Sequence, residues 1–222
     1  MLPVLWSFRR CPYAMRARLG LASAGQQVSL REIVLRDKPE AFLKTSKSAT
    51  VPCLDFGAEQ IDESLDIMLW ALSQSDPEDL LAMPALGHEL IAECDGPFKA
   101  ALDRSKYATR YQDSDPLEER AKASAFIAKL EAQLGASPWL FGMAPKLADV
   151  AILPFVRQFA HIDQTWFASE PWPAVQSWLA AFKASDRFMR IMQKYPPWQP
   201  PTRATPSPRA DIMHPNPAFR SA

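Results

Sequence analysis

Pro3-Val4-Leu5-Trp6-Ser7-Phe8-Arg9-Arg10-Cys11-Pro12-Tyr13-Ala14-Met15-Arg16-Ala17-Arg18-Leu19 is the stretch on which the fold turns. Residues 3–8 are apolar and rich in strand formers, and Arg9-Arg10-Cys11-Pro12 breaks the run. A helix is predicted over 12–24. Pro12 suits its first turn, where the missing N–H is not needed, and Met15, Leu19 and Ala22 recur at helical spacing. Working outward, residues 28–35 alternate as a second strand through Val28, Leu30, Ile33 and Leu35. Residues 39–44 predict a short helix, 51–56 a third strand, Gln60-Ile61 its hairpin partner, and 63–72 a further helix. The order β-α-β-α-β-β-α makes residues 1–74 an α/β domain.

Strand-like runs then vanish. Residues 73–79 read as a linker, and helical periodicity governs 80–195, an all-α bundle domain. One or two helices occupy 80–111, with a break expected at Asp95-Gly96-Pro97. A helix over 117–134 carries the apolar stripe Ala123, Phe126, Ile127, Leu130 and Leu134. Residues 148–160 are apolar nearly all round, the mark of a central buried helix that Pro154 should kink. Helices over 172–182 and 188–195 close the bundle. Residues 196–222 hold eight of the chain's 21 prolines and are expected as an extended tail outside both domains. That tail is read as a strap on its own globule anchored by Trp198, or as a ligand for a Pro-binding partner.

Across 222 residues, 48% hydrophobic and 23% charged composition is that of a folded protein. The 25 basic residues cancel the 25 acidic ones, so no global field draws in nucleic acid or an anionic membrane. No leader or membrane span is evident, which leads to a cytoplasmic expectation. The three cysteines, 11, 53 and 94, show no paired spacing, and His88, His161 and His214 stand apart, so neither a disulfide framework nor a metal site is expected.

Only a thiolate is nucleophilic, and a free thiol is mostly protonated at neutral pH. Cys11 falls where a helix begins, facing unpaired N–H groups and the positive end of the helix dipole, with Arg9, Arg10 and Arg16 near in sequence. A reactive Cys11 is therefore expected, with Cys53 and Cys94 as inert core residues. Position 14 is alanine, so the site lacks the second thiol of a CxxC pair, and a mixed disulfide at Cys11 needs an outside thiol to resolve it.

These residues resemble the cytosolic glutathione transferases, and among them the cysteine-type, omega-like members. The segment 11–19 is similar to the omega active-site segment, and Arg36-Asp37-Lys38-Pro39-Glu40-Ala41-Phe42 to the stretch that gives a lysine to glutathione. Val51-Pro52 is similar to the family's cis-proline turn, and Glu63-Ser64 to its γ-glutamyl-binding pair. The resemblance covers about 1–195 and implies a thioredoxin-like first domain followed by the helical bundle. It implies glutathione as co-substrate, Cys11 as catalytic residue, and contacts from Tyr13, Leu35, Lys38, Val51, Pro52, Glu63 and Ser64. Val51 would pair its backbone with the extended peptide, Ser64 would take the γ-glutamyl carboxylate, Glu63 the ammonium, and Lys38 the glycyl carboxylate. Taken alone, Glu63-Ser64 is also a plain helix cap. A homodimer is implied as well.

The chain departs from the family twice. Lys146 stands where the central helix usually has a Ser or Thr cap, so Lys146→Ser is expected to raise the melting temperature. The loop Ser46-Lys47-Ser48-Ala49-Thr50 lacks the usual Asn-Pro-x-Gly turn. The leading functional expectation is a glutathione-dependent thiol transferase acting on mixed disulfides or dehydroascorbate-like substrates through a Cys11-glutathione intermediate. The second substrate would be a small molecule or a protein thiol. The alternatives are weak conjugation of electrophiles and a non-catalytic ligand- or protein-binding module. Ser7 or Tyr13 would be the thiol-activating hydroxyl should Cys11 prove dispensable. Tyr107, Tyr111 and Trp166 are candidates for a second-substrate pocket.

Overall fold

The computed structural model describes residues 2–200 apart from residue 136, together with the backbone of residues 211–212. Its described chain forms two compact units, one built from residues up to Glu78 together with the segment from Asp186 onward, the other from Asp79–Ser185.

In the first unit, β1 (Val4–Ser7), α1 (Pro12–Ser23), β2 (Ser29–Glu32), α2 (Glu40–Thr45), β3 (Cys53–Asp55), β4 (Gln60–Ile61) and α3 (Ser64–Gln74) follow the expected order. The sheet runs β4-β3-β1-β2, with β2 parallel to β1 and β3 antiparallel to it. β1, β2 and β3 are shorter than the apolar runs that predicted them, while β4 coincides with the expected Gln60-Ile61. Period-two alternation sends Leu5 to one face and Trp6 to the other. On the Trp6 face, Ile33, Phe42, Val51 and Cys53 close a buried cluster against which Phe8, Cys11 and Trp198 also pack. On the other face α1 lies against α3 at close range: a Cβ on Gly20 would stand 2.7 Å from Met68 Cγ, so glycine is required there.

Two buried charges pin this unit. Arg18 and Glu32 form an ion pair, and Arg18 also donates through Nε to Ser7 Oγ at 2.8 Å and through Nη1 to the Ile191 carbonyl at 2.9 Å. The last of these bonds ties the short helix α10 (Asp186–Ile191) to α1. That helix was expected to close the bundle, but it groups with the first unit, where Arg187 donates to Ser23 Oγ and pairs with Glu78.

Beyond α10 the chain crosses the β2 edge. The Trp198 N–H donates to the Glu32 carbonyl at 2.7 Å, and a two-residue strand β5 (Asp211–Ile212) runs antiparallel to Ser29 and Leu30. An edge strand presents unpaired backbone groups. Here the tail takes up some of them.

The second unit contains α4 (Ala85–Glu93), α5 (Lys99–Lys106), α6 (Pro116–Leu134), α7 (Leu147–Ala160), α8 (Gln164–Ser169) and α9 (Pro173–Ala184). The expected break at Asp95-Gly96-Pro97 is a π-helical turn, Cys94–Phe98, in which the Lys99 N–H reaches the Cys94 carbonyl. The wider turn accommodates Pro97, which has no N–H to give. Helix α7 is buried almost all round and continues through Pro154.

The α7 start corrects the reading of Lys146. Its ammonium has no lone pair to cap with, but its Nζ donates to the Asp79 carbonyl and carboxylate, both at 2.7 Å. The helix end is satisfied by buried Asp149, which accepts from Lys146 N at 2.8 Å, Leu140 N at 2.9 Å and Trp178 Nε1 at 3.0 Å. Burial raises the Asp149 pKa even though these three donors favour the carboxylate.

Candidate functional site

Cys11 is the N-cap residue of α1, with extended backbone (φ −76°, ψ 125°) and no side-chain cap bond of its own. Its N–H donates to the Phe8 carbonyl at 2.9 Å, closing the turn that follows β1. The first four N–H groups of a helix have no partner within it. Pro12 has none to offer, so the first backbone N–H groups of α1 after Cys11 are those of Tyr13 and Ala14.

The segment 46–52 faces Cys11. Val51-Pro52 is a cis peptide, and Cys11 Sγ lies 3.7 Å from the Val51 carbonyl oxygen, within reach of a weak S–H bond. Where the family usually has an Asn-Pro-x-Gly turn, hydroxyls order the loop here. Ser46 Oγ lies 3.2 Å from Ser48 Oγ, which lies 2.7 Å from Thr50 Oγ1, and Ala49 takes a positive φ of 52°. Lys38 Nζ donates to the Ala49 carbonyl at 2.9 Å. From the other side, Asp62 accepts from Ser48 N at 3.1 Å. Asp62 precedes Glu63 and Ser64, so the loop joins Cys11, Lys38, Val51-Pro52 and the start of α3.

Glu63 occupies the N-cap position of α3, but its side chain caps nothing and is exposed, while Ser64 begins the helix buried. The plain capping role open to this pair is therefore not taken by the glutamate side chain. Tyr13 is half-buried, two residues past Cys11. Leu35 is 42% exposed in the turn closed by the Asp37 N–H on the Val34 carbonyl, outside the hydrogen bonds of the 46–52 loop.

The remaining thiols differ sharply from Cys11. Cys53 and Cys94 are fully buried. Burial, reinforced by the Asp62 carboxylate beside it, pushes the Cys53 thiol far up, so that it stays protonated. For Asp62 itself, burial acts to raise the pKa, but hydrogen bonding from Cys53, Ser48 and Ser46 prevails and holds it below the usual carboxylate value. Ser7, the alternative hydroxyl, is fully buried and its oxygen accepts from Arg18 Nε at 2.8 Å.

Two partners of the site escaped sequence reasoning. Glu32 Oε1 accepts the Arg9 N–H at 2.6 Å, holding the turn before Cys11, and Asp62 holds the loop opposite. One sequence signal existed for Glu32: Arg18 lies among the apolar positions of α1, and a buried cation demands a partner.

A cavity of about 440 Å³ lies between α2 and the strap, bordered by Ile33, Pro39, Ala41, Lys44, Trp198 and Pro200. Cys11 and Val51 are not among the residues bordering it.

Residues 5–79 match the family model for the glutathione S-transferase N-terminal domain and residues 92–181 that for the C-terminal domain. This chain belongs to the glutathione S-transferase family. A curated relative, glutathione S-transferase DHAR3, chloroplastic, of Arabidopsis thaliana, is 26% identical over 170 residues. The match takes in 67% of this chain and 63% of that protein, less than two thirds of the relative's length. Among solved structures, a glutathione transferase family member of Pseudomonas fluorescens with two glutathione bound superposes with TM-score 0.72 at 21% identity, covering 86% of this chain and 92% of that one. Glutathione transferase Omega 3C of Trametes versicolor gives 0.71 at 19%, covering 86% and 84%. At these identities the structures establish the shared fold. Among the described residues no helix is long and apolar enough to cross a membrane.

Proposed function

We propose that this glutathione S-transferase is a glutathione-dependent thiol transferase whose nucleophile is Cys11. The carrying observation is the place of that sulphur, at the first turn of α1 and 3.7 Å from the carbonyl of the cis Val51-Pro52 unit. A carbonyl accepts a bond from a thiol and repels a thiolate. On ionisation the sulphur therefore gives up Val51 and turns to the first-turn N–H groups, which frees the carbonyl for the amide N–H of an extended peptide. Glutathione is such a peptide, with Glu63 and Ser64 at its γ-glutamyl end. Lys38, fixed to the loop, would stand at the glycyl end.

In the first step the Cys11 thiolate attacks the glutathione sulphur of a mixed disulfide. A Cys11–glutathione disulfide forms, and the other thiol leaves as thiolate and takes a proton from water. A second glutathione, as thiolate, then attacks the Cys11-bound glutathione sulphur and releases oxidised glutathione and free Cys11. The absence of a second thiol at position 14 supports this use of external glutathione. A dehydroascorbate-like substrate, suggested by the Arabidopsis relative, would use the same thiolate. Three free cysteines suit a reducing compartment such as the cytoplasm, and the homodimer usual in the family completes the reading.

The test is intact mass after exposure to oxidised glutathione, with a mixed-disulfide reduction assay. Wild type should gain one glutathione, and Cys11→Ser should gain none and lose at least about 100-fold in kcat/KM, as expected for loss of the attacking group. A wild type that takes no adduct and is as inactive as Cys11→Ser would overturn the proposal in favour of a binding module.

A further inference from the structure

The strap and the Cys11 turn are joined by two physical routes. One is polar. The Trp198 N–H donates to the Glu32 carbonyl, and the carboxylate of that same Glu32 accepts the Arg9 N–H of the turn and pairs with Arg18 on α1. The other is apolar. The Trp198 ring meets Trp6 edge-on at 5.1 Å, and Trp6 belongs to the cluster, with Val51 and Cys53, on which Cys11 packs. The Arg31 guanidinium lies 4.7 Å from the Trp6 ring and 4.9 Å from the Trp198 ring, so the two indoles and the cation form a three-way cluster with a cation–π contact to each ring.

We infer that the C-terminal strap is a positioning element for the nucleophile: the Trp198 ring, seated on Trp6 and Arg31, together with Glu32, fixes the turn that aims the Cys11 sulphur at the start of α1. The inference rests on the reading of Cys11 as nucleophile. It assigns a role to a segment that the family resemblance, covering about 1–195, does not reach. Glu32 and Trp198 are positioning residues.

A thiol at a helix start keeps its stabilisation only while the N–H groups point at it, and the effect falls off within one turn. The charges around the turn are Arg9 and Arg10 on it, Arg16 and Arg18 on α1, Arg31 and Glu32 on β2, and Lys38 and Asp62, which are bonded to the facing loop. Removing the Glu32 charge leaves that set more positive. Electrostatics alone then predicts a lower Cys11 pKa in Glu32→Gln, whereas loss of aim predicts a higher one. The two effects have opposite signs.

The experiment is the pH profile of Cys11 alkylation by iodoacetamide, followed by intact mass, in wild type, Trp198→Ala, Trp198→Phe and Glu32→Gln. Alkylation needs no glutathione, so a wild type that forms no glutathione adduct would defeat the proposed function and still leave this comparison decisive. The expected result is a Cys11 pKa raised by about half a unit in Trp198→Ala, a threefold slower reaction below it, restored toward wild type in Trp198→Phe, which keeps a ring on Trp6 and Arg31. Glu32→Gln should raise the pKa as well. An unmoved profile in Trp198→Ala, even with a lower melting temperature, would overturn the inference, and it decides alone should Glu32→Gln fail to fold. A lowered pKa in a folded Glu32→Gln would equally overturn it.

Discussion

At Cys11 the environment comes from chain neighbours: a strand end before it, a helix start after it, proline at the next position. That is why its place was legible from sequence. Glu32 and Asp62 reach it or its loop by bonds spanning 23 and 14 residues, to Arg9 and Ser48, and no local pattern announces such a partner. Asp62 offers a test of its own. Its folded pKa is depressed, so it contributes stability that is fully present above its unfolded value, about 3.9, and is lost as pH falls through the lower folded value. Asp62→Asn should therefore be less stable than wild type near neutrality and should show a shallower fall in urea midpoint between pH 5 and pH 2.5. Parallel acid limbs in the two proteins would show that the loop does not depend on the carboxylate charge.

Among the elements, type and order were readable while ends and small pieces were not. Helix α8 was missed although Asp163 caps it, accepting from Trp166 N at 2.9 Å, because six residues carry too little periodicity to stand out. The start of α7 shows how a missing cap is answered elsewhere. Asp149 supplies half of a capping box by accepting the Lys146 N–H, and Lys146 is occupied with Asp79, which has a positive φ of 53°. Serine at 146 would gain a cap of about 1 kcal/mol and lose the tie to Asp79, an ion pair with one exposed partner worth up to about 1 kcal/mol. The simple rise in melting temperature expected from sequence is thus replaced by a comparison. Lys146→Ala should be less stable than wild type, and Lys146→Ser should exceed Lys146→Ala by about 1 kcal/mol in denaturant unfolding. Equal stability of the two variants would show that no serine cap forms here.

For the whole molecule, periodicity recovered an α/β part followed by a helical part but drew the boundary by chain order. The chain instead returns: α10 and the strap rejoin the first unit through Arg18, Arg187 and the Glu32 carbonyl. Composition marked the tail as proline-rich and unable to form a ladder of its own. What it could not show is that a strand edge elsewhere needs backbone partners, and that one tryptophan N–H is enough to begin covering it. Ending the chain after Tyr195 removes that N–H, the Trp198 ring and the β5 pairing together. Burial of a large aromatic side chain is worth about 2 kcal/mol, and each kcal/mol moves the melting temperature of a protein this size by about 2–4 °C. The truncated protein should therefore melt about 4–8 °C lower. Its bared β2 edge should also drive association, since unpaired strand groups template pairing with another chain. Sedimentation should then show species larger than those of the full chain, increasing with concentration. An unchanged melting temperature and size distribution would mean that β2 is stable without its cover.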